Sequence, residues 1–324
     1  MSRAPDVPAL AEAVKSGDRR ALSQAITLVE STLAGHRERS RQLLEQLLPA
    51  AGGSRRIGIT GAPGAGKSSL IESLGVELVE RGRRLAVLTI DPTSQRTGGS
   101  ILGDKTRMER LSRDSSAFVR PSPSGGSPGG VARRTRESTW LCEAAGYDTI
   151  LVETVGVGQG ETAVSQLVDT VVLVAIPGAG DELQGIKRGV METADILAIN
   201  KADLGGARQA AAHYSAALRL LPARMESWRV PVVTVSARTR EGLPALLDEL
   251  EAHHGFLQHE GRLGARRAEQ GLHWFERLVE ERLKESFFTR PEVAQALSRL
   301  RIAVQRGERT ADSAAAELLR LGGL

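Results

Sequence analysis

Residues Gly61-Ala62-Pro63-Gly64-Ala65-Gly66-Lys67-Ser68-Ser69 have the types and spacing most directly suited to chemistry. Glycines let successive backbone N–H groups converge on one point, and a helix opening at their end adds its positive pole, so the segment forms an anion cradle. There Lys67 supplies a point charge to the β- and γ-phosphates of a nucleotide, and Ser68 offers its hydroxyl to Mg²⁺. The pattern requires a strand before it and a helix after it, and the apolar run Ile57–Thr60 and the helical spacing over 68–81 provide both.

Asn200-Lys201-Ala202-Asp203 follows the apolar run Ile196–Ile199, and Ser236-Ala237 closes the next one. A carboxylate at position 203 can accept from both the ring N–H and the exocyclic amine of guanine. Adenine lacks those donors and would leave the carboxylate unpaired. The expected ligands are GTP and GDP.

Three further segments sit at strand ends. Glu153-Thr-Val-Gly156 follows Thr149–Val152, where an acid can orient Mg²⁺ through water and a glycine N–H can meet the γ-phosphate. Asp91 ends the run Leu85–Ile90 and opens a glycine-containing loop that carries Asp104. Two carboxylates on such a loop can hold the metal in one state and leave it in another, which is switch behaviour. Asp104 equally suits a helix cap for 105–112. Gly178-Ala-Gly-Asp181-Glu182-Leu-Gln184-Gly-Ile-Lys187 follows Val171–Ile176 and reads either as a third functional loop or as a solvated helix start.

The elements that must position these residues are visible from periodicity. The apolar runs at Ile57–Thr60, Leu85–Ile90, Phe118–Val119, Thr149–Val152, Val171–Ile176, Ile196–Ile199 and Val230–Val235 predict strands. Helical stretches near 68–81, 131–145, 183–193, 206–220 and 243–252 separate most of them. Near-continuous apolar strands alternating with helices predict an α/β fold with a mainly parallel sheet covered on both faces. Ligands in such folds lie at the carboxyl ends of the strands. Residues 9–49 are helical, with Leu22, Ala25, Ile26, Val29 and Leu33 on one face and Leu43, Leu44, Leu47 and Leu48 on another. After about residue 255 the pattern is helical again. Leu272, Phe275, Leu278, Val279 and Leu283 form a stripe, and a last helix starts near Thr310. Residues 121–130 form a low-complexity loop.

Composition narrows the function classes. The formal net charge of +4 and an aromatic content of 3% argue against a nucleic-acid partner. No apolar run reaches the ~18–20 residues of a membrane span, so no membrane partner is expected. The lone Cys142, read as a buried helix residue, excludes a disulfide framework and fits a cytoplasmic location. The six histidines lack ligand spacing, and His253, His254 and His259 read as a solvated helix end. Of 43 basic residues only six are lysine, and four of those (Lys67, Lys105, Lys187, Lys201) fall inside the segments above.

Taken together, GITGAPGAGKS (58–68), DPTSQRTGGSILGDKTRM (91–108), ETVGVGQ (153–159), GAGDELQGIKRGVMETADI (178–196) and NKAD (200–203) resemble the MeaB/ArgK type of GTPase, chaperones of adenosylcobalamin-dependent methylmalonyl-CoA mutase. The resemblance implies a SIMIBI-type P-loop GTPase domain over 53–254, a helical N-terminal extension over 1–52 and a helical dimerisation region over 255–324. It implies a homodimer that binds GTP or GDP with Mg²⁺, and a Mg²⁺ group of Ser68, Asp91, Asp104 and Glu153. Segments 91–108, 153–163 and 178–189 would be switches, the last contacting the mutase. On this reading Lys67 and Lys187, with Asp181 nearby, act on the transition state, and Gln159 is the rival for positioning water. The partner would be an adenosylcobalamin-dependent acyl-CoA mutase, acting on methylmalonyl-CoA or on a relative such as isobutyryl- or 2-hydroxyisobutyryl-CoA. A nickel-insertion GTPase would need Cys/His ligands near the nucleotide, and a kinase would need an acceptor pocket with its own base. Neither is evident in the sequence.

Overall fold

Successive residues of the strands are buried on alternate sides, which explains why the strands read as unbroken apolar runs. Ala86, Leu88, Ile150 and Val152 pack into one cluster, whereas Leu85, Val87, Leu151, Val172 and Val174 pack into another. A sheet buried on both faces favours apolar side chains at nearly every position. In this computed structural model the described residues are 6–31, 33–91, 108–123, 128–154, 164–178, 188–221, 225 and 227–323; of Asp91 only the backbone is described.

The strands are β1 (Arg55–Gly61), β2 (Leu85–Asp91), β3 (Ala117–Pro123), β4 (Thr149–Glu153), β5 (Thr170–Ala175), β6 (Ile196–Ile199) and β7 (Val232–Thr234). They form one seven-stranded sheet in the order β3-β2-β4-β1-β5-β6-β7. All described pairings are parallel. Each of the seven expected runs is a strand. β1 is central, and the chain crosses it between β4 and β5. The loops after β1 and β4 therefore open beside the point where the winding reverses, the position favoured for ligands.

The helices are α1 (Val7–Lys15), α2 (Arg19–Glu30), α3 (Ala34–Leu47), α4 (Lys67–Glu80), α5 (Glu109–Arg113), α6 (Pro128–Ala144), α7 (Arg188–Met191), α8 (Ala207–Arg219), α9 (Leu243–Gln258), α10 (Arg262–Phe288), α11 (Pro291–Gln305) and α12 (Ala311–Leu321). Helices α1–α3 and α6 cover one face of the sheet, and α8 packs against β5 and β6. Helices α4 and α9, with Leu111 of α5, cover the opposite face. Caps set two of the starts: Asp18 accepts from Arg20 N (2.7 Å) and Ala21 N (3.0 Å), and Thr310 accepts from Ser313 N (3.2 Å).

The N-terminal helical faces end sooner than their periodicity predicts. Leu33 is 62% exposed because α2 stops at Glu30, and Leu48 is 54% exposed in the 3₁₀ turn after α3. The expected loop at 121–130 is narrower, since β3 extends to Pro123 and α6 begins at Pro128. Cys142 is buried in α6 as expected, and burial raises its thiol pKa.

The chain parts into two compact units, Met1–Arg266 and Arg267–Leu324. Within the second, Ala296, Leu300 and Ala314 make a small core between α11 and α12. On α10, Leu272, Phe275, Val279 and Leu283 are exposed along one face. No described helix is long and apolar enough to cross a membrane.

Candidate functional site: a nucleotide edge of the sheet

The turn after β1 depends on glycine. Gly61 has φ +146°, and a Cβ there would lie 2.2 Å from the Val174 carbonyl oxygen on β5. Gly66 has φ +84°, and its Cβ would lie 2.6 Å from Asn200 Nδ2. The chain can therefore turn tightly into α4 and pass close under the 200–203 loop only with glycine at these positions. Helix α4 begins at Lys67, so its amino pole faces the loop it leaves.

Lys67 is nearly buried, and its Nζ donates to the carbonyl oxygens of Gly61 (2.9 Å) and Ala62 (3.0 Å). One residue later, Ser68 Oγ donates to Glu153 Oε1 at 2.7 Å. Strand pairing places these groups together. Ile59 of β1 is in register with Glu153 of β4, and Thr154 beyond it is held by Thr154 Oγ1 donating to Thr60 Oγ1 at 2.9 Å. Thr89 of β2 also pairs with Glu153, which puts the backbone of Asp91 two residues further along the adjacent strand. A hydroxyl and a carboxylate in contact at a strand edge form a hard-oxygen donor set suited to Mg²⁺. The longer arm of Glu153, where GTPases more often have aspartate, reaches the helix directly.

The residues expected to hold the base are assembled as well. Asn200 is buried; its Nδ2 donates to the Ala65 carbonyl (2.8 Å) and its Oδ1 accepts from Ala237 N (3.1 Å), so one side chain ties the phosphate loop to the 236–237 turn. Lys201 takes a left-handed conformation, φ 59°, at the tight exit from β6. Asp203 Oδ1 accepts from Ser236 Oγ at 2.6 Å, and this hydroxyl is the main cause holding the Asp203 carboxyl below its ordinary range. It is thus an ionised acceptor at neutral pH. Lys201 also borders a cleft of about 540 Å³ shared with Pro177, Gly178, Leu204 and Tyr214, so Gly178 and Lys201 line one cleft.

Gly64, Ala65 and Ser69 fall on the same loop and first helical turn. Gly156, Gln159, Asp181, Lys187 and Asp104 lie outside the described residues. Residue spacing did not reveal the supports behind this edge. Glu72 Oε1 accepts from Arg110 N at 2.7 Å, capping the short α5 that follows the 92–107 segment. Ser73 Oγ donates to the Ala237 carbonyl at 2.6 Å. A polar residue in the second turn after Lys67 was the available signal, but its contact is non-local.

The model of the MeaB family, described as methylmalonyl Co-A mutase-associated GTPase, matches residues 22–292. The chain belongs to this family. It is 51% identical over 326 residues to a putative GTPase of Caulobacter vibrioides, covering all of both chains. It is 44% identical over 317 residues to the mitochondrial methylmalonic aciduria type A homolog of Mus musculus, covering 94% of this chain and 76% of that one. A crystal structure titled LAO/AO transport system kinase superposes with a TM-score of 0.78 at 33% identity, covering 98% of each chain. The MeaB-family assignment fits the edge described above: GTP hydrolysis is the family's activity, and the P-loop GTPase fold is the one observed.

One expectation at the opposite, amino edge of the sheet needs correction. His253 is not at a solvated helix end. It is fully buried, its Nδ1 lies 2.8 Å from Thr170 Oγ1, and its ring packs 4.7 Å from that of Trp228. The first residue of β5 and the aromatic side chain that enclose it are distant in sequence.

Proposed function

We propose that this protein is a GTP-hydrolysing chaperone of an adenosylcobalamin-dependent acyl-CoA mutase. On this reading, nucleotide turnover gates cofactor loading and the protection or reactivation of the mutase. The observation that carries the nucleotide half is the 2.7 Å contact between Ser68 and Glu153 beneath a glycine loop tied to Asn200. The mutase half is supported by family membership across residues 22–292.

In this mechanism the loop 61–66 and the amino pole of α4 receive the phosphates. Lys67 exchanges its carbonyl contacts for phosphate oxygens, placing positive charge where negative charge develops. Asn200, Lys201 and Asp203 hold guanine, with Ser236 and Ala237 closing the far side. Ser68, Glu153, Asp91 and Asp104 would hold Mg²⁺, which when bound spreads the charge of the transferring phosphoryl group. Lys187 and Asp181, or Gln159, complete the site when the mutase binds.

The protein is proposed to act as a homodimer in the cytoplasm. The exposed stripe of Leu272, Phe275, Val279 and Leu283 on α10 supports pairing with a second copy, because an apolar row of this kind is costly to leave in water. The test is GTP turnover by the purified protein alone and with each adenosylcobalamin-dependent acyl-CoA mutase of the same organism. Stimulation of at least about tenfold by one mutase is expected, and failure of every mutase to stimulate would reject the chaperone reading.

A further inference from the structure

The base-binding turn 236–240 is held from two sides. On one side Ser236 Oγ donates to Asp203 and accepts from Thr239 N at 3.1 Å. On the other, the turn is fastened to α4, the helix that begins at the phosphate loop. Ser73 Oγ donates to the Ala237 carbonyl at 2.6 Å, and Arg240 Nη2 donates to Glu77 Oε2 (2.5 Å) and Glu80 Oε2 (2.7 Å). Arg240 has φ 64°, a left-handed conformation that costs a residue with a Cβ energy and persists where surrounding contacts enforce it. Three α4 side chains, over two turns, therefore grip the backbone and the arginine of a loop more than 150 residues away in sequence.

We propose that Ser73 and the Arg240 clamp on Glu77 and Glu80 are positioning residues for guanine recognition. By carrying the phosphate loop at its start and the base-binding turn along its side, α4 acts as a fixed spacer. It sets the distance between the two loops to that of a guanosine nucleotide and holds the Ala237 peptide in one orientation. This inference rests on the base-site reading of Asp203, Ser236 and Ala237. It predicts that loosening the clamp weakens binding of the whole nucleotide while leaving binding of its phosphate part unchanged.

The experiment uses the full-length protein with Ser73→Ala, Ser73→Thr, Arg240→Asn and Asp203→Asn. Asparagine keeps the left-handed backbone accessible at position 240 while removing the clamp. Two quantities are measured: dissociation of a fluorescent GDP, and inhibition of GTP turnover by inorganic tripolyphosphate. Ser73→Ala and Arg240→Asn should each speed GDP release about fivefold, the loss of one or two hydrogen bonds, with tripolyphosphate inhibition within about twofold of the parent. Ser73→Thr, which keeps the hydroxyl, should restore slow release. Asp203→Asn should shift preference from guanine toward xanthine nucleotides. If Asp203→Asn leaves guanine preference intact, the base-site reading fails and takes this inference with it. If Asp203→Asn shifts preference but Ser73→Ala and Arg240→Asn release GDP at the parent rate, the positioning role alone is overturned. Equal weakening of GDP and tripolyphosphate would also overturn it, because that pattern reports a damaged helix.

Discussion

Arg56, near the start of the central strand β1, and Lys67, just beyond its end, are each 8% exposed, yet they are held in different ways. Arg56, at the amino edge, meets Glu143 through two hydrogen bonds of 2.8 and 2.9 Å. Glu143 in turn accepts from Ser54 Oγ at 2.6 Å and from Gly52 N at 2.8 Å. At the same edge Asp195 accepts from Arg266 at 3.0 Å and from Val171 N at 2.8 Å. These carboxylates are closed in by charged and backbone donors from several elements. Lys67, at the carboxyl edge, rests on carbonyl oxygens that a phosphate can replace, and Ser68 and Glu153 meet through oxygens that a cation can draw apart. Buried charge on one protein can therefore serve two purposes. Where a carboxylate closes on it from another element it anchors chain crossings, and where carbonyl oxygens of a glycine loop hold it a phosphate can take their place.

Breaking each edge should have different consequences. The largest expected effect is Glu143→Ala, which leaves the Arg56 guanidinium facing an uncompensated interior. It should cost about 3–5 kcal/mol in urea unfolding, and the variant that remains folded should keep the parent affinity for GDP. Lys67→Ala should do the reverse, lowering GTP turnover by about 10²- to 10³-fold with little change in the unfolding midpoint. Equal losses of stability in these two variants would erase the distinction.

A smaller effect sharpens the picture of the carboxyl edge. Glu153→Gln keeps the shape of the side chain but removes its charge beside Ser68. The Mg²⁺ concentration that half-saturates GTP turnover should rise about 10- to 100-fold, while turnover at saturating Mg²⁺ should change less.

The smallest expected effect concerns Glu137 on α6. Burial pushes its carboxyl up to about 7, with Arg133 and Arg134 opposing the shift. Because the folded-state value is raised, the protonated form is favoured in the fold. That stabilisation is fully present below the usual carboxylate range and is lost as pH rises through about 7. Glu137→Gln should then be more stable than the parent by about 1 kcal/mol at pH 8, an advantage that shrinks toward pH 5 in denaturant titrations.

The nucleotide edge was legible in sequence because its chemistry is local. Glycine, lysine and serine within nine positions imply a cradle whatever surrounds them, and the seven apolar runs became strands because a sheet buried on both faces leaves few polar positions at the strand centres to obscure them. The amino edge was not legible. Arg56, Glu143, Asp195 and His253 are scattered singly, and their pairing depends on strand order, which periodicity does not encode. His253 shows the cost, since its charged and polar helix neighbours suggest solvent while Thr170 and Trp228 bury it. Leu33 and Leu48 show the opposite error, a helical repeat continuing past the point where the helix stops. Ser73 and Arg240 were missed for the same reason as the amino-edge residues: their partners come from distant turns.

Backbone amide hydrogen exchange, with and without Mg²⁺ and a non-hydrolysable GTP analogue, tests the contrast between the two edges most directly. The account predicts added protection in peptides covering 61–69, 200–203 and 236–240, and unchanged exchange in those covering 52–56, 141–145 and 194–196. Protection at the amino-edge peptides without protection at the carboxyl-edge loops would contradict it.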